Sequence, residues 1–113
     1  MKNILAATAV LISFNAFAGG NIDAGKQAAE KYNCFSCHGK DYNTPIDPTY
    51  PKLAGQHQDY LAVAMIAYKR GADGANGRGN AIMAAQVKPL SSKDIQDIAA
   101  YQSSLPGTLV LRK

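Results

Sequence analysis

Two cysteines and a histidine lie close together in Cys34-Phe35-Ser36-Cys37-His38, and the chain has no other cysteine. Cysteines three residues apart lie side by side on a helical turn, so their thiols can add to the two vinyl groups of one porphyrin. His38 follows Cys34 by four residues and projects from the same face, where its imidazole can bind the iron. The spacing therefore predicts one covalently attached haem, with His38 as an axial ligand.

A Cys-x-x-Cys pair also occurs in thioredoxin-like redox motifs, in half of a zinc site and in disulfides. A zinc ribbon needs a second pair of ligands, and a thioredoxin-like motif lies between a strand and a helix of a βαβ unit. The sequence shows neither context, and the histidine directly after the second cysteine favours haem. A redox dithiol and a structural disulfide are the weaker alternatives.

The second axial position of the iron has three candidate side chains and the further alternative of no protein ligand. Met65 falls in an apolar helical pattern, where a methionine usually packs in the core. His57 stands at the start of that helix, a position typical of a capping or solvent-facing histidine. Met83 lies between a glycine-rich loop and Pro89, where an extended backbone could place its thioether against the haem. Met83 is therefore the predicted sixth ligand.

Three helices are predicted to position these residues. The first is expected to be capped by Asp23 and to run from Ala24 toward the haem motif. Its Gly25 permits the close approach of another element. Apolar residues recur at helical spacing over residues 58–70, and Gly71 follows as a natural stop, which predicts the second helix.

The third helix is expected to follow Ser91, which has capping-box spacing to Asp94, and to end near residue 106. Residues 39–56 contain three prolines and are predicted to form a loop that wraps around something. The four glycines in residues 71–80 predict a mobile, solvated connection. Because no alternating strand pattern is present, the predicted fold class is all-α, with three main helices and long loops around one haem.

The N-terminus has the pattern of a cleavable signal peptide over residues 1–18. Lys2 precedes an uncharged apolar run, and Ala-Phe-Ala at 16–18 offers the small residues that signal peptidase requires. The run is shorter than the roughly 20 residues that cross a bilayer, so an uncleaved anchor is the weaker alternative. Residues 19–113 then form a single monohaem domain.

Composition limits what this domain can do. The chain has no tryptophan, and two of its three phenylalanines lie in the predicted signal peptide, so a large planar cofactor would fill the middle of the domain's thin core. The formal net charge is +4 and the cations are scattered along the chain, a pattern that does not indicate nucleic-acid binding.

The haem motif and three further segments resemble the class I cytochromes c, most closely the small bacterial periplasmic carriers. The further segments are residues 50–56, 80–83 and 90–101, and the likeness covers residues 20–105. The resemblance implies that the Pro51 carbonyl accepts a hydrogen bond from the His38 imidazole, that Leu53 packs on the haem edge, and that the sixth ligand lies in the 80–83 segment.

The resemblance also implies that the N- and C-terminal helices cross near Gly25, with Ile98 and Tyr101 packed against the crossing. One feature departs from the family. Its members have an aromatic residue about one turn before the haem cysteines, where this chain has Ala29 and Glu30, and Tyr32 is expected to substitute.

The predicted function is periplasmic transfer of one electron at a time between a redox protein donor and acceptor, without catalysis. The alternatives are a fixed electron-entry subunit of a larger complex and a haem enzyme or gas binder with an open sixth position. We expect a monomer with no nucleic acid or small-molecule substrate, and membrane contact only through partner complexes. Some of the three lysines Lys40, Lys52 and Lys88 are expected to ring the exposed haem edge and to attract an acidic partner.

Overall fold

The computed structural model describes residues 19–109 together with Ala9. Over this part of the chain the regular structure is helical and contains no strand. The five helices are α1 (Ile22–Lys31), α2 (Phe35–His38), α3 (Gln58–Arg70), α4 (Ala81–Val87) and α5 (Ser92–Ser104). The predicted all-α class with three main helices is confirmed, and two short helices, α2 and α4, are added to it.

The predicted signal peptide lies outside the described residues, except for Ala9. Among the described helices, none is both long and apolar enough to cross a membrane.

Capping side chains fix where α1 and α5 begin. The α1 helix begins earlier than expected, because the Asn21 side chain, and not that of Asp23, accepts the Ala24 N–H at 2.9 Å. Asp23 then lies in the first turn, where its negative charge interacts favourably with the positive end of the helix dipole. At α5 the predicted capping box is present, with reciprocal 3.0 Å hydrogen bonds between Ser91 and Asp94.

The prediction of an extended backbone around Met83 is wrong, because Ala81–Val87 form the helix α4. The Asn80 side chain accepts the Met83 N–H at 3.0 Å and caps the helix. The residues after Asn80 include several alanines and no glycine or proline before Pro89, so nothing in the sequence opposes a helix.

The crossing of α1 and α5 is the closest helix contact in the described fold. A Cβ on Gly25 would lie 1.9 Å from the Asp97 carbonyl oxygen, so only glycine fits there. Ala29 and Ile98 are fully buried, Tyr101 is half-buried beside Gly25, and these contacts confirm the crossing.

The Asp97 carboxylate joins the two crossing helices. It is buried and accepts the Asn21 N–H at 2.8 Å, and it pairs with Lys93 on its own helix. Burial opposes ionisation, but the hydrogen bonds from Lys93 and Asn21 and the Lys93 charge outweigh it, so the pKa of Asp97 is lowered.

Candidate functional site

A cavity of about 450 Å³ lies between the 39–56 loop, α2, α3, α4 and α5. Its lining is mostly apolar, and a cavity of this volume is in the range of small-molecule and cofactor sites. All six residues predicted for the haem site line it: Cys34, Cys37, His38, Pro51, Leu53 and Met83.

The turn of helix α2 presents both thiols and the imidazole to the cavity. Asn33 has a φ of 55°, a left-handed conformation that asparagine tolerates and that lets the chain leave α1 and enter α2. The Cys34 N–H donates to the Ala29 carbonyl at 3.1 Å, and the Cys34 carbonyl accepts the His38 N–H at 3.2 Å. The three chemically active groups are thereby carried on one short rigid element.

The His38 ring is held by the hydrogen bond that the resemblance implied. Its Nδ1 lies 2.9 Å from the Pro51 carbonyl oxygen, and His38 as a whole residue is 7% exposed. Because a carbonyl can only accept, Nδ1 carries the proton and Nε2 is left as the nitrogen that can bind a metal. A carbonyl partner of this kind fixes the ring and increases its electron donation to the metal.

The Tyr42 carbonyl holds the Pro51 segment in place. It accepts hydrogen bonds from the N–H groups of Leu53 at 2.8 Å and Ala54 at 3.0 Å. The Tyr42 ring is buried and packs edge-to-face against the Tyr101 ring, with 5.8 Å between the ring centroids. The predicted loop over residues 39–56 is therefore a folded strap that fixes the carbonyl facing His38.

The thiol chemistry argues against a redox dithiol. Both cysteines are free, and burial, with a smaller contribution from the neighbouring Cys37, raises the pKa of Cys34 to about 11 although a backbone hydrogen bond opposes this. A dithiol oxidoreductase needs a thiolate, formed by lowering this pKa. Among the described residues no group of three or more His, Cys, Asp or Glu side chains could hold a zinc ion.

Position separates one of the three candidate side chains for the sixth ligand from the other two. His57 precedes the first residue of α3 and its side chain makes no capping hydrogen bond. It is exposed and is absent from the described cavity lining. Met65 and Met83 are both half-buried and both line the cavity. The structure therefore brings two thioethers to the cavity that holds His38.

Sequence reasoning missed the polar part of the lining. Tyr60 and Tyr68 lie two turns apart on α3, and Arg78 from the glycine-rich loop joins them at the cavity. The eight-residue spacing of the tyrosines was the available signal.

Among the lysines expected at the haem edge, Lys52 lines this cavity, while Lys40 lies at a separate groove.

These features fit the predicted haem. The cavity is enclosed by apolar side chains, it offers two thiols three residues apart for covalent attachment, and it offers an oriented imidazole and thioethers for the iron. The described part of the lining contains no carboxylate that would repel the acidic side chains of the cofactor.

A family model described as Cytochrome c matches residues 22–106. Cytochrome c4 of Stutzerimonas stutzeri is 40% identical over 98 residues, which are 83% of this chain and 45% of that protein. The "thiosulfate dehydrogenase electron acceptor" of Thiomonas intermedia is 34% identical over 105 residues, which are 93% of this chain and 45% of that protein. The chain spans about half the length of both relatives.

The fold is also similar to a solved structure. The crystal structure of reduced recombinant cytochrome c4 from Pseudomonas stutzeri superimposes with a TM-score of 0.70 and 37% sequence identity. The match covers 80% of this chain and 48% of that one.

Proposed function

The chain belongs to the cytochrome c family, and on that premise we propose that it carries single electrons between redox proteins. Members of this family hold haem c covalently, and this chain carries one haem c group. When bound, the haem supplies an iron that changes between the ferrous and ferric states by one electron. The observation that supports the proposal most directly is that one cavity is lined by all four of these side chains, Cys34, Cys37, His38 and Met83.

In this proposal the protein's own side chains keep the coordination of the iron constant. Cys34 and Cys37 would attach the porphyrin, and His38 Nε2 would bind the iron while Nδ1 keeps its hydrogen bond to the Pro51 carbonyl. A buried, mostly apolar lining disfavours the additional charge of the ferric state and so raises the reduction potential. A soft thioether as a second protein ligand would act in the same direction.

Met83 is our choice for that thioether. Its backbone N–H is fixed to the Asn80 side chain at 3.0 Å, which holds the first turn of α4 at the cavity. Met65 lies in the middle of α3, and both methionines pack against the buried core, so packing alone does not separate them. The position of Met83 in the 80–83 segment also agrees with the family resemblance.

The proposal involves no catalysis. The described cavity lining contains no histidine besides His38 and no carboxylate, the side chains that most often act as general acids and bases. Transfer of electrons alone requires no such group.

We place the carrier in the periplasm, with residues 1–18 removed as a signal peptide. The pattern of the N-terminus and the bacterial origin of the relatives support this location. The relative that is named as the electron acceptor of a dehydrogenase supports a periplasmic dehydrogenase as the kind of donor. Lys52 at the cavity would favour an acidic partner surface.

The test combines attachment and ligation in the purified native protein. Mass spectrometry should show a chain that begins at Gly19 with one haem added, and the haem should resist acid-acetone extraction. Met83→Ala should abolish the weak long-wavelength absorption of methionine sulfur on ferric haem, lower the potential and open the iron to carbon monoxide.

Met65→Ala is the matched control, because both methionines are half-buried in the same lining. It should retain the long-wavelength absorption. Haem that is removed by acid-acetone would contradict covalent attachment. Absorption that survives in Met83→Ala and disappears in Met65→Ala would assign the ligand to Met65.

A further inference from the structure

The charged side chains of the haem cavity have one sign. Apart from His38, the described lining contains two charged residues, Lys52 and Arg78, and both are cations. A haem carries two propionate carboxylates, and a carboxylate in a partly desolvated site needs a hydrogen-bonded counter-charge. The cavity therefore offers two candidate partners for this anionic end of the cofactor.

The surroundings of Lys52 and Arg78 distinguish them. The Lys52 Nζ lies 3.3 Å from the Thr108 hydroxyl, on the segment that follows α5. The Arg78 guanidinium lies 5.6 Å from the ring centroid of Tyr60 and 5.7 Å from that of Tyr68. Both tyrosines line the cavity, so Arg78 is the cation that is held there by cavity side chains.

The glycine-rich loop is folded so as to deliver Arg78. The Arg78 N–H donates to the Ala67 carbonyl at 2.9 Å, which ties the loop to α3. A Cβ on Gly77 would lie 1.8 Å from the Gly71 carbonyl oxygen, so the chain can turn this tightly beside Arg78 only with glycine. The loop is exposed as expected, but it has specific attachments to α3 that a simple solvated connection would not need.

The guanidinium is also oriented. One of its terminal nitrogens, Nη2, donates to the Tyr60 hydroxyl at 3.2 Å, and the two aromatic faces restrict its movement. An arginine has five N–H donors in a planar fork, so most of them remain for a second partner. This fork matches the two oxygens of a carboxylate.

From these contacts we infer that Arg78, oriented by Tyr60 and Tyr68, binds a haem propionate and sets the charge at that end of the cofactor. The inference depends on the proposed haem site and adds to it a positioning device that acts on the reduction potential. The other source of a carboxylate, an acidic partner protein, is absent when the isolated holoprotein is studied.

Removal of Arg78 should change the potential in a defined direction. The ferric haem has one more positive charge than the ferrous haem, so a neighbouring cation disfavours oxidation. Arg78→Gln should therefore lower the midpoint potential. It should also raise the pKa of the unpaired propionate, so that the potential falls with increasing pH between about pH 5 and pH 8, where that of the wild type stays flat.

The other titratable groups that face this region are the Tyr60 and Tyr68 phenols of α3, Tyr50 and Lys52 of the 39–56 loop, and His38 of α2. Tyr50, Lys52 and Tyr68 are unchanged in every variant, so they contribute equally to the wild type and to each variant. The His38 ring is present in the wild type and in every variant, so its contribution cancels in the comparison.

The experiment measures the midpoint potential against pH for wild type, Arg78→Gln, Tyr60→Phe and Arg70→Gln. Arg70→Gln is the matched control, since Arg70 is an exposed arginine near the loop that does not line the cavity. Tyr60→Phe should give a smaller change in the direction of Arg78→Gln, because the charge stays but its orientation is lost.

A flat potential in Arg78→Gln, displaced no further than in Arg70→Gln, would overturn the inference. Covalent haem and the long-wavelength absorption are recorded in each variant, so a failure of the haem site itself is seen separately. If Arg78→Gln yields no holoprotein, Tyr60→Phe decides, because it keeps the charge and removes the hydrogen bond that orients the guanidinium. A midpoint potential below that of the wild type supports the inference, and one equal to that of the wild type refutes it.

Discussion

Tyr42 is a single residue on which much of the site depends. Its φ of 54° is in the left-handed region, which a bulky side chain seldom adopts, and its ring is 2% exposed. Desolvation by this burial raises the pKa of its hydroxyl, so the phenol stays neutral. The strained backbone places one carbonyl against two N–H groups of the strap that supports His38. The buried ring therefore compensates for the backbone strain.

We expect Tyr42→Ala to destabilise the holoprotein by about 3–5 kcal/mol, the range for removal of a large aromatic side chain from a core. Tyr42→Phe is the control, because it keeps the ring and its edge-to-face contact with Tyr101. Urea denaturation followed by helix content measures both. A loss below about 1 kcal/mol in Tyr42→Ala would show that the strap is held by other contacts.

At the scale of elements, the α1–α5 crossing determines where the haem motif begins, because α2 follows α1 after a single tight turn. Gly25→Ala would normally stabilise an open helix by roughly 0.5–1 kcal/mol. Here the added Cβ meets the Asp97 carbonyl oxygen, so we expect a net destabilisation of about 1–3 kcal/mol as the helices separate. Thermal unfolding of the holoprotein shows directly whether Gly25→Ala raises or lowers its stability.

Lys26→Ala is the control for this change, because Lys26 is the exposed neighbour of Gly25 on the same helix. It should alter stability by no more than about 0.5 kcal/mol. Stabilisation by Gly25→Ala would mean that the two helices can move apart at no cost.

On the scale of the whole molecule, the protein side of the core is thin. Many of the fully buried positions are alanines, and the largest fully buried side chains are Tyr42, Val87, Ile95 and Ile98. The cavity of about 450 Å³ lies among the main helices, so their inner faces would lose packing partners without the cofactor.

Folding should therefore depend on haem attachment. The double variant Cys34→Ala, Cys37→Ala, produced without haem, should lose cooperative thermal melting and most of its helix content, since the apolar faces of α3 and α5 would lack a common surface. Circular dichroism of this variant beside the wild-type holoprotein measures the effect. Native helix content and a sharp transition in the variant would refute this dependence.

Local spacing was enough to predict the haem motif and the three long helices. Cysteines three residues apart with an adjoining histidine define their chemistry wherever the turn is placed, and α3 and α5 carry their own stop and start signals, at Gly71 and Ser91. The family resemblance added the hydrogen bond from His38 to Pro51, which joins residues 13 apart in the chain.

Tertiary structure decided the remaining features, because they depend on contacts between distant segments. Periodicity gave no indication that Asn80 would cap a short helix at Met83, that Met65 would face the same cavity, or that the loop would return Arg78 to α3. A side chain's spacing along the chain limits which neighbours on its own helix it can reach. Which surface of another element it meets is set by the packing of the helices around the cavity.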